Sequence, residues 1–358
     1  MHMSKKALVA LLGVPLLLMT ACSSSSSSST SSGSTSSGGT TAAASSQCPY
    51  TFAVITHGDN GSFWSVVYKG AKDAASALGC KLSEVYGSQQ QGQAEPDDNA
   101  QNAQIQDAIN AHVSGIAVSD HDPSIMNATI AKAVAAGIPV VMLNAGCDPT
   151  DLSATNAITC IGQPEQVAGN VAGAYFMKQS LTNVLCVIHQ TGQNLLDRCN
   201  GIAQALGVGS TCKAGNAPSS GPACTELILS TPNAASNPTQ ADQQVVSYLQ
   251  AHTGVNAVMT LNSAIGTALV SDLSGKSIKI GTFDLDSQVL TDLQNGSLAF
   301  AIDQQQYLQG YLPILTLYLY LKAHGNSVSP GAVLQTGPLV VTKNNASQVQ
   351  AAISAGED

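Results

Sequence analysis

Charge is scarce in this sequence. Only 10% of its 358 residues are Asp, Glu, Lys or Arg, the net charge is −9, and the basic residues are scattered. Without a basic stripe to meet phosphates, nucleic acid is not expected as a partner. Aromatic residues make up 4% of the chain, and Trp64 is the single tryptophan. The patterns G-x-S-x-G, H-E-x-x-H, G-x-x-x-x-G-K-[ST] and G-x-G-x-x-G are all missing, so nothing calls for an enzyme or a bound cofactor. Ser274-Gly275-Lys276-Ser277 ends like a phosphate loop but lacks the glycine five residues before Gly275. No C-x-x-C pair is present, and no metal site is expected. The apolar run Ala7–Met19, 13 residues long, is too short to span a bilayer core.

What is present begins with a targeting pattern. Lys5 and Lys6 precede that apolar run, which ends in small residues as a signal peptide does. Leu18-Met19-Thr20-Ala21-Cys22 resembles a bacterial lipobox with Cys22 as the lipidated residue, although Met19 stands where Leu is usual. Residues 1–21 are therefore expected to be a lipoprotein signal peptide. In Ser23–Gln47, 14 of 25 residues are Ser, and none is charged, aromatic, Val, Ile or Leu. Such a stretch cannot bury enough apolar surface to offset its ordering entropy, so residues 22–47 read as an anchored, flexible tether.

Setting Cys22 aside leaves eight cysteines in a chain expected to be exported, and an even number there reads as disulfides. Eight cysteines allow roughly a hundred connectivities, which sequence alone does not resolve. Spacing favours the neighbours Cys48–Cys80, Cys147–Cys160, Cys186–Cys199 and Cys212–Cys224.

From Cys48 onward, short apolar runs alternate with helical patterns. Thr51–Thr56, Gly115–Ser119, Ile138–Asn144, Val184–His189, Ala257–Asn262 and Ile278–Asp284 are continuous, rich in β-branched residues and bounded by Gly, Pro, Asn or Asp. Continuous rather than alternating apolar character indicates strands buried on both faces of a parallel sheet. Between them, Ser65–Leu78, Asp97–Asn110, Ser124–Ala136, Glu165–Gln179 and Gln240–His252 read as helices. Repeated β-α-β units give an α/β doubly wound architecture, and a length calling for about ten strands suggests two such halves. The strands end in polar or turn residues such as His57, Asp120, His121, Asn144, Asn262 and Asp284. In open α/β sheets ligands bind outside the carboxyl ends of the strands. The bland alternative is that Asn and Asp there cap helices, and Asp120 and Asp122 suit that role equally before Pro123. His57 and His121 both follow strands and either point into the cleft or, as is more usual for loop histidines, sit in solvent.

The stretch from Tyr50 to about Lys343 resembles the type I solute-binding proteins of ABC sugar importers, the ribose- and galactose-binding group. TFAVITHGDNGSFWSVVYKGAKDAASALG matches that family's first strand, aromatic loop and first helix. VSGIAVSDHDP and AAGIPVVMLN match its third and fourth strands, and VLCVIHQTGQNLLDRCNGI, IKIGTFDLDSQVL and FAIDQQQYLQGYLPI match its later half. The resemblance implies two Rossmann-like parallel-sheet domains joined by a three-segment hinge, a behaviour known of periplasmic binding proteins. Crossovers are expected near Gly162, Gln304 and Gln335, giving one domain of 48–161 plus 305–334 and another of 163–303 plus 336–358.

The same resemblance implies a ligand site. The family's stacking aromatics correspond to Phe63 and Trp64, its loop amide to Asn60, and its strand-end polar residue to Asn144. Its helical arginine corresponds to Arg198, its later strand-end residues to Asn262 and Asp284, and its hinge amide to Gln304. Ribose binders carry Asp-Arg where this chain has Asn144-Ala145, a departure that argues against ribose itself. These residue types suit a sugar or polyol, which offers C–H faces to rings and hydroxyls to amides and charges. A bland alternative for Arg198 is an ion pair with Asp197. The implied function is capture of a monosaccharide or polyol by a monomeric, lipid-anchored protein that passes it to the membrane permease of an ABC importer. A receptor for a sugar or autoinducer-2 in chemotaxis or signalling is the alternative.

Overall fold

The computed structural model describes residues 48–58, 61–84, 97–231, 234–326 and 331–358. The first sheet takes β1 (Thr51–Ile55), β2 (Lys81–Glu84), β3 (Gly115–Val118), β4 (Val140–Leu143) and β5 (Thr159–Gly162). The chain then builds a second sheet from β6 (Asn183–Ile188), β7 (Lys213–Ala214), β8 (Ala223–Ile228), β9 (Ala257–Thr260), β10 (Lys279–Phe283) and β11 (Phe300–Asp303). It returns to the first sheet for β12 (Ala332–Gln335) and closes the second with β13 (Leu339–Val341). The strand orders are β12-β5-β4-β3-β1-β2 and β13-β11-β10-β9-β6-β8-β7. Every described pairing is parallel except β13 against β11.

The connecting helices are α1 (Ser62–Leu78), α2 (Asp98–Asn110), α3 (Pro123–Ala135), α4 (Pro149–Thr155), α5 (Glu165–Lys178) and α6 (Gln193–Ala205). They continue as α7 (Pro238–Ala251), α8 (Ser263–Asp272), α9 (Ser287–Asn295), α10 (Gln306–Lys322) and α11 (Ala346–Ala355). None of the described helices is long and apolar enough to cross a membrane.

The apolar runs are continuous because both sheet faces are covered. In β1, Phe52 and Val54 pack with Val67, Ile314 and Leu317 of α1 and α10, while Ala53 and Ile55 pack with Ile105, Met126 and Ile130 of α2 and α3. This is the period-two alternation of a strand sandwiched between helix layers. The second sheet is filled in the same way by two further clusters.

Two helix pairs approach unusually closely, and glycine permits it. A Cβ on Gly70 of α1 would lie 2.1 Å from the Tyr307 carbonyl oxygen, and one on Gly310 of α10 would lie 1.8 Å from that of Val67. In the second half, a Cβ on Gly169 of α5 would meet the Arg198 carbonyl oxygen at 1.9 Å, and one on Gly201 of α6 that of Gln166 at 2.1 Å. Any side chain there would force the helices apart. These crossings fix the helices that carry the polar residues described below.

All eight described cysteines are paired, as Cys48–Cys80, Cys147–Cys160, Cys186–Cys199 and Cys212–Cys224, with Cα separations of 4.6, 5.2, 5.8 and 4.9 Å. Cys186–Cys199 staples β6 to α6, one residue beyond Arg198. Each bridge closes a loop of 12 to 32 residues, a constraint on the unfolded chain of about 3 kcal/mol in the chain-entropy picture.

One expected boundary shifts. The first helix begins at Ser62, not Ser65, because the Ser65 N–H already donates to the Gly61 carbonyl at 2.9 Å. Phe63 and Trp64 therefore stand in the first helical turn. Cys22 and Asn60, with the signal and tether, lie outside the described residues.

Candidate functional site

The carboxyl ends of strands from both sheets converge on one cavity of about 90 Å³. Phe63, Trp64, Asn144, Arg198, Asn262, Asp284 and Gln304 all line it, together with His57, His189, Gln190, Asn194 and Ser236. His57 follows β1, Asn144 follows β4, His189 follows β6, Asn262 follows β9, Asp284 follows β10 and Gln304 follows β11. That is where an α/β sheet places its ligands.

The first sheet supplies an aromatic wall. Trp64 is 8% exposed and belongs to the core cluster around Phe52 and Val67, whereas Phe63 is only partly buried. The Phe63 and Trp64 rings meet edge to face at 5.0 Å, and Trp64 meets His57 edge to face at 4.8 Å. The indole lies against the backbone of Gly58, where a Cβ would come within 1.7 Å of Nε1. His57 and His121 stack at 5.0 Å, and the Ser119 hydroxyl lies 2.8 Å from His57 Nδ1. Of the two readings for these histidines, solvation is corrected: they are 3% and 8% exposed, and His57 lines the cavity. Burial, then the neighbouring His121, His189 and Arg198, hold the His57 pKa well below its ordinary value, so the ring is neutral.

The second sheet supplies a charged wall. Arg198 is the chain's single arginine and is 3% exposed. Its Nε donates to Glu165 Oε2 at 2.6 Å, and its Nη2 donates to Glu165 Oε1 at 2.8 Å and to Gln304 Oε1 at 3.1 Å. The guanidinium also lies over the Phe283 ring, 4.4 Å from its centroid. Arg198 thus pairs with Glu165 rather than Asp197, which instead accepts from Gln193. Gln304 Nε2 donates to Asp284 Oδ1 at 2.5 Å. Burial pushes the Asp284 pKa up to about 7, a rise that Arg198 and the Gln304 hydrogen bond moderate. Burial opposes charge on Arg198 too, but Glu165 and Asp284 keep its pKa above the ordinary value. Burial, reinforced by Arg198, lowers His189 to about 3.

The helix-cap alternative separates residue by residue. Asn262 does cap α8, its Oδ1 accepting from the N–H groups of Ala264 and Ile265. Asp284 is not a cap, because Asp286 accepts from Val289 N–H and caps α9. Asp122 caps α3 through Ser124 N–H, and Asp120 does not. Asn144 and Asp284 both hold positive φ, 62° and 71°. Asn and Asp tolerate that region better than other side chains, and such conformations gather at functional sites.

A larger cavity of about 830 Å³ adjoins this one and shares Asn144 and Asn194 with it. Its lining has six carboxylate residues, from Asp120 to Asp197, but no Phe, Tyr or Trp. Phe and Trp rings meet hydroxyl-reading groups only in the smaller of these two cavities. Among the described residues, no cluster of three or more His, Cys, Asp or Glu is arranged to hold a metal ion.

Sequence reasoning missed Glu165, His189, Asn194 and Ser236. His189 directly follows an apolar strand, the same signal that marked Asn144 and Asp284. Glu165 carries no local signal, because its role depends on the close crossing of α5 and α6.

Solved structures with this architecture include a carbohydrate transporter of Acidothermus cellulolyticus 11B in complex with myo-inositol. It is 33% identical to this chain, covers 86% of it and 99% of its own length, and superposes with a TM-score of 0.74. A solute-binding protein of Burkholderia graminis C4D1M, in complex with D-arabinose, shares the fold at 23% identity and a TM-score of 0.67 over 84% of this chain and 97% of its own. A xylose/arabinose-binding protein, XylF, of Sulfolobus acidocaldarius is 26% identical over 308 residues, which are 81% of this chain and 70% of that protein. The family description "periplasmic binding protein domain" matches residues 52–326. With that match over most of its length and two Rossmann-like halves closing on one cavity, the chain belongs to the periplasmic binding protein domain family.

Proposed function

We propose that this protein captures a monosaccharide or cyclic polyol in the cavity between its two sheets and delivers it to the permease of an ABC importer. The observation that carries this reading is the pairing of aromatic rings on one wall with a neutral and charged hydrogen-bonding network on the other. Polyol C–H faces pack on rings, and hydroxyls each need a donor and an acceptor. The myo-inositol held by the relative at 33% identity supports a cyclic polyol as the first ligand to try. Closure would bend the three segments near Gly162, Gln304 and Gln335, where the chain passes between sheets. The protein acts as a monomer anchored through Cys22, so that the tether keeps it beside its permease.

A thermal-shift screen with myo-inositol, D-xylose, D-arabinose, D-ribose and D-glucose tests the reading. A ligand at a hundred times its Kd adds about 2.7 kcal/mol of stability, a visible rise in Tm. Flat melting curves across the whole panel would refute a sugar or polyol ligand. For the anchor, Cys22→Ala should release the protein from membranes, and continued membrane partitioning would contradict lipidation.

A further inference from the structure

Gln309 of α10 is wholly buried and makes three hydrogen bonds. Its Nε2 donates to the Gln304 backbone carbonyl at 3.1 Å and to Thr336 Oγ1 at 3.2 Å, and its Oε1 accepts from Asn144 Nδ2 at 3.0 Å. Side-chain amides can be turned end for end, so their polarity has to come from partners that cannot be reversed. The Gln304 carbonyl is such a partner, because it only accepts. It requires nitrogen at that end of the Gln309 amide and therefore oxygen at the other. That oxygen requires the nitrogen of Asn144, which leaves Asn144 Oδ1 on the other side of its amide, with no described residue donating to it.

The opposite wall obeys the same logic from its own fixed end. Arg198 only donates, so Gln304 must turn Oε1 toward it and Nε2 toward Asp284. Gln304 thus belongs to both chains, through its side chain on one side and its carbonyl on the other. The α10 backbone that carries Gln309 cannot slide, since Gly310 lies against the Val67 carbonyl.

We propose that Gln309 is a positioning residue that turns the Asn144 amide oxygen toward the ligand and ties that orientation to the hinge through Gln304 and Thr336. The first wall then presents an acceptor at Asn144, so the ligand must offer a hydroxyl as donor there. This specificity rests on the reading of the cavity as a polyol site, but the orientation of the amide does not.

Two measurements separate those claims. In the ligand-free protein, nuclear magnetic resonance of ¹⁵N-labelled side-chain amides should show the Asn144 NH₂ protected from hydrogen exchange. In Gln309→Met, its exchange should quicken by about tenfold or more, as expected when one net hydrogen bond is lost. Equal exchange rates in the two proteins would overturn the orientation, whatever the ligand. The second measurement is a calorimetric double-mutant cycle with myo-inositol as the probe. Gln309→Met and Asn144→Ala should each weaken binding by about tenfold, and the double variant should be no weaker than Asn144→Ala alone. Losses that multiply would show that Gln309 acts independently of Asn144 and overturn the positioning role. If Gln309→Met proves too unstable to purify, Gln309→Glu serves in the exchange measurement with the opposite expectation: its carboxyl still offers an oxygen to Asn144 Nδ2, so the NH₂ should stay protected, and quickened exchange would overturn the orientation. If wild-type protein does not bind myo-inositol, the polyol reading fails at that ligand, and the exchange measurement still decides the orientation.

Discussion

The two walls of the cavity are built by the same device and stabilised by opposite means. Each rests on a glycine-mediated helix crossing, α1 on α10 in the first half and α5 on α6 in the second. On the first wall the crossing delivers Trp64 into an apolar cluster, where burial and ring contacts hold it. On the second it delivers Arg198 against Glu165, where two short charge-assisted hydrogen bonds hold a buried ion pair. The difference lies in how each wall fails. Truncating a ring leaves a hole, whose cost depends on how far the neighbours relax. Truncating one member of a buried ion pair leaves the other charged and unpartnered, which costs more than the pair contributed.

The sharpest way to break this comparison is Arg198→Met. Glu165 would lose both charge-assisted bonds and Gln304 one, so stability should fall by about 3–5 kcal/mol and ligand affinity by more than about a hundredfold. Urea unfolding and calorimetry read the two effects. A variant as stable as wild type would mean that the pair is solvated and the charged wall is no wall.

Trp64→Ala should act mainly through stability. Removing a large buried aromatic costs about 3–5 kcal/mol, and the same variant should also bind more weakly because the platform is gone. A loss of affinity without loss of stability would place Trp64 in the ligand site alone, against its packing in the core.

Asp284→Asn should do the reverse. Binding should weaken by roughly ten- to a hundredfold through a ligand hydroxyl left unmet, while folding survives. It should also change the pH dependence of stability. Burial keeps Asp284 protonated up to about pH 7, against 3.8 in the unfolded chain. Between those values the folded state holds a proton that the unfolded state has lost, so this group makes stability fall as pH rises. The Asn variant should lack that part of the slope between about pH 4 and 7 in melting curves. An unchanged slope would show that Asp284 ionises freely.

The smallest effect is expected for Phe63→Ala, whose ring is only partly buried. Affinity should drop by about tenfold or less, with stability changed by less than for Trp64→Ala.

The strands at β1, β3, β4, β6, β9 and β10 were legible because burial on both faces leaves a continuous β-branched run. The short edge strands β7 and β13 were not, since two or three residues at a sheet edge carry no period. The polar strand ends pointed to the cavity, and Asn144, Asn262 and Asp284 do line it. What each does there was less legible, because capping is decided by one or two residues of offset. Asp286 caps while Asp284 faces the cavity, and Asp122 caps while Asp120 does not. Glu165 and Gln309 were invisible, since their partners are 33 and 165 residues away in sequence.

The single tryptophan makes the central claim directly measurable. Because Trp64 lines the cavity and no other indole exists, indole fluorescence, excited selectively over tyrosine, reports from that wall alone. Titration with the ligand that raises Tm should give a saturable change in Trp64 emission, with the Kd found by calorimetry and a Kd shifted at least about tenfold in Asp284→Asn. A ligand that binds by calorimetry with no change in Trp64 emission, and with equal affinity in Asp284→Asn, would place its site elsewhere and contradict the account.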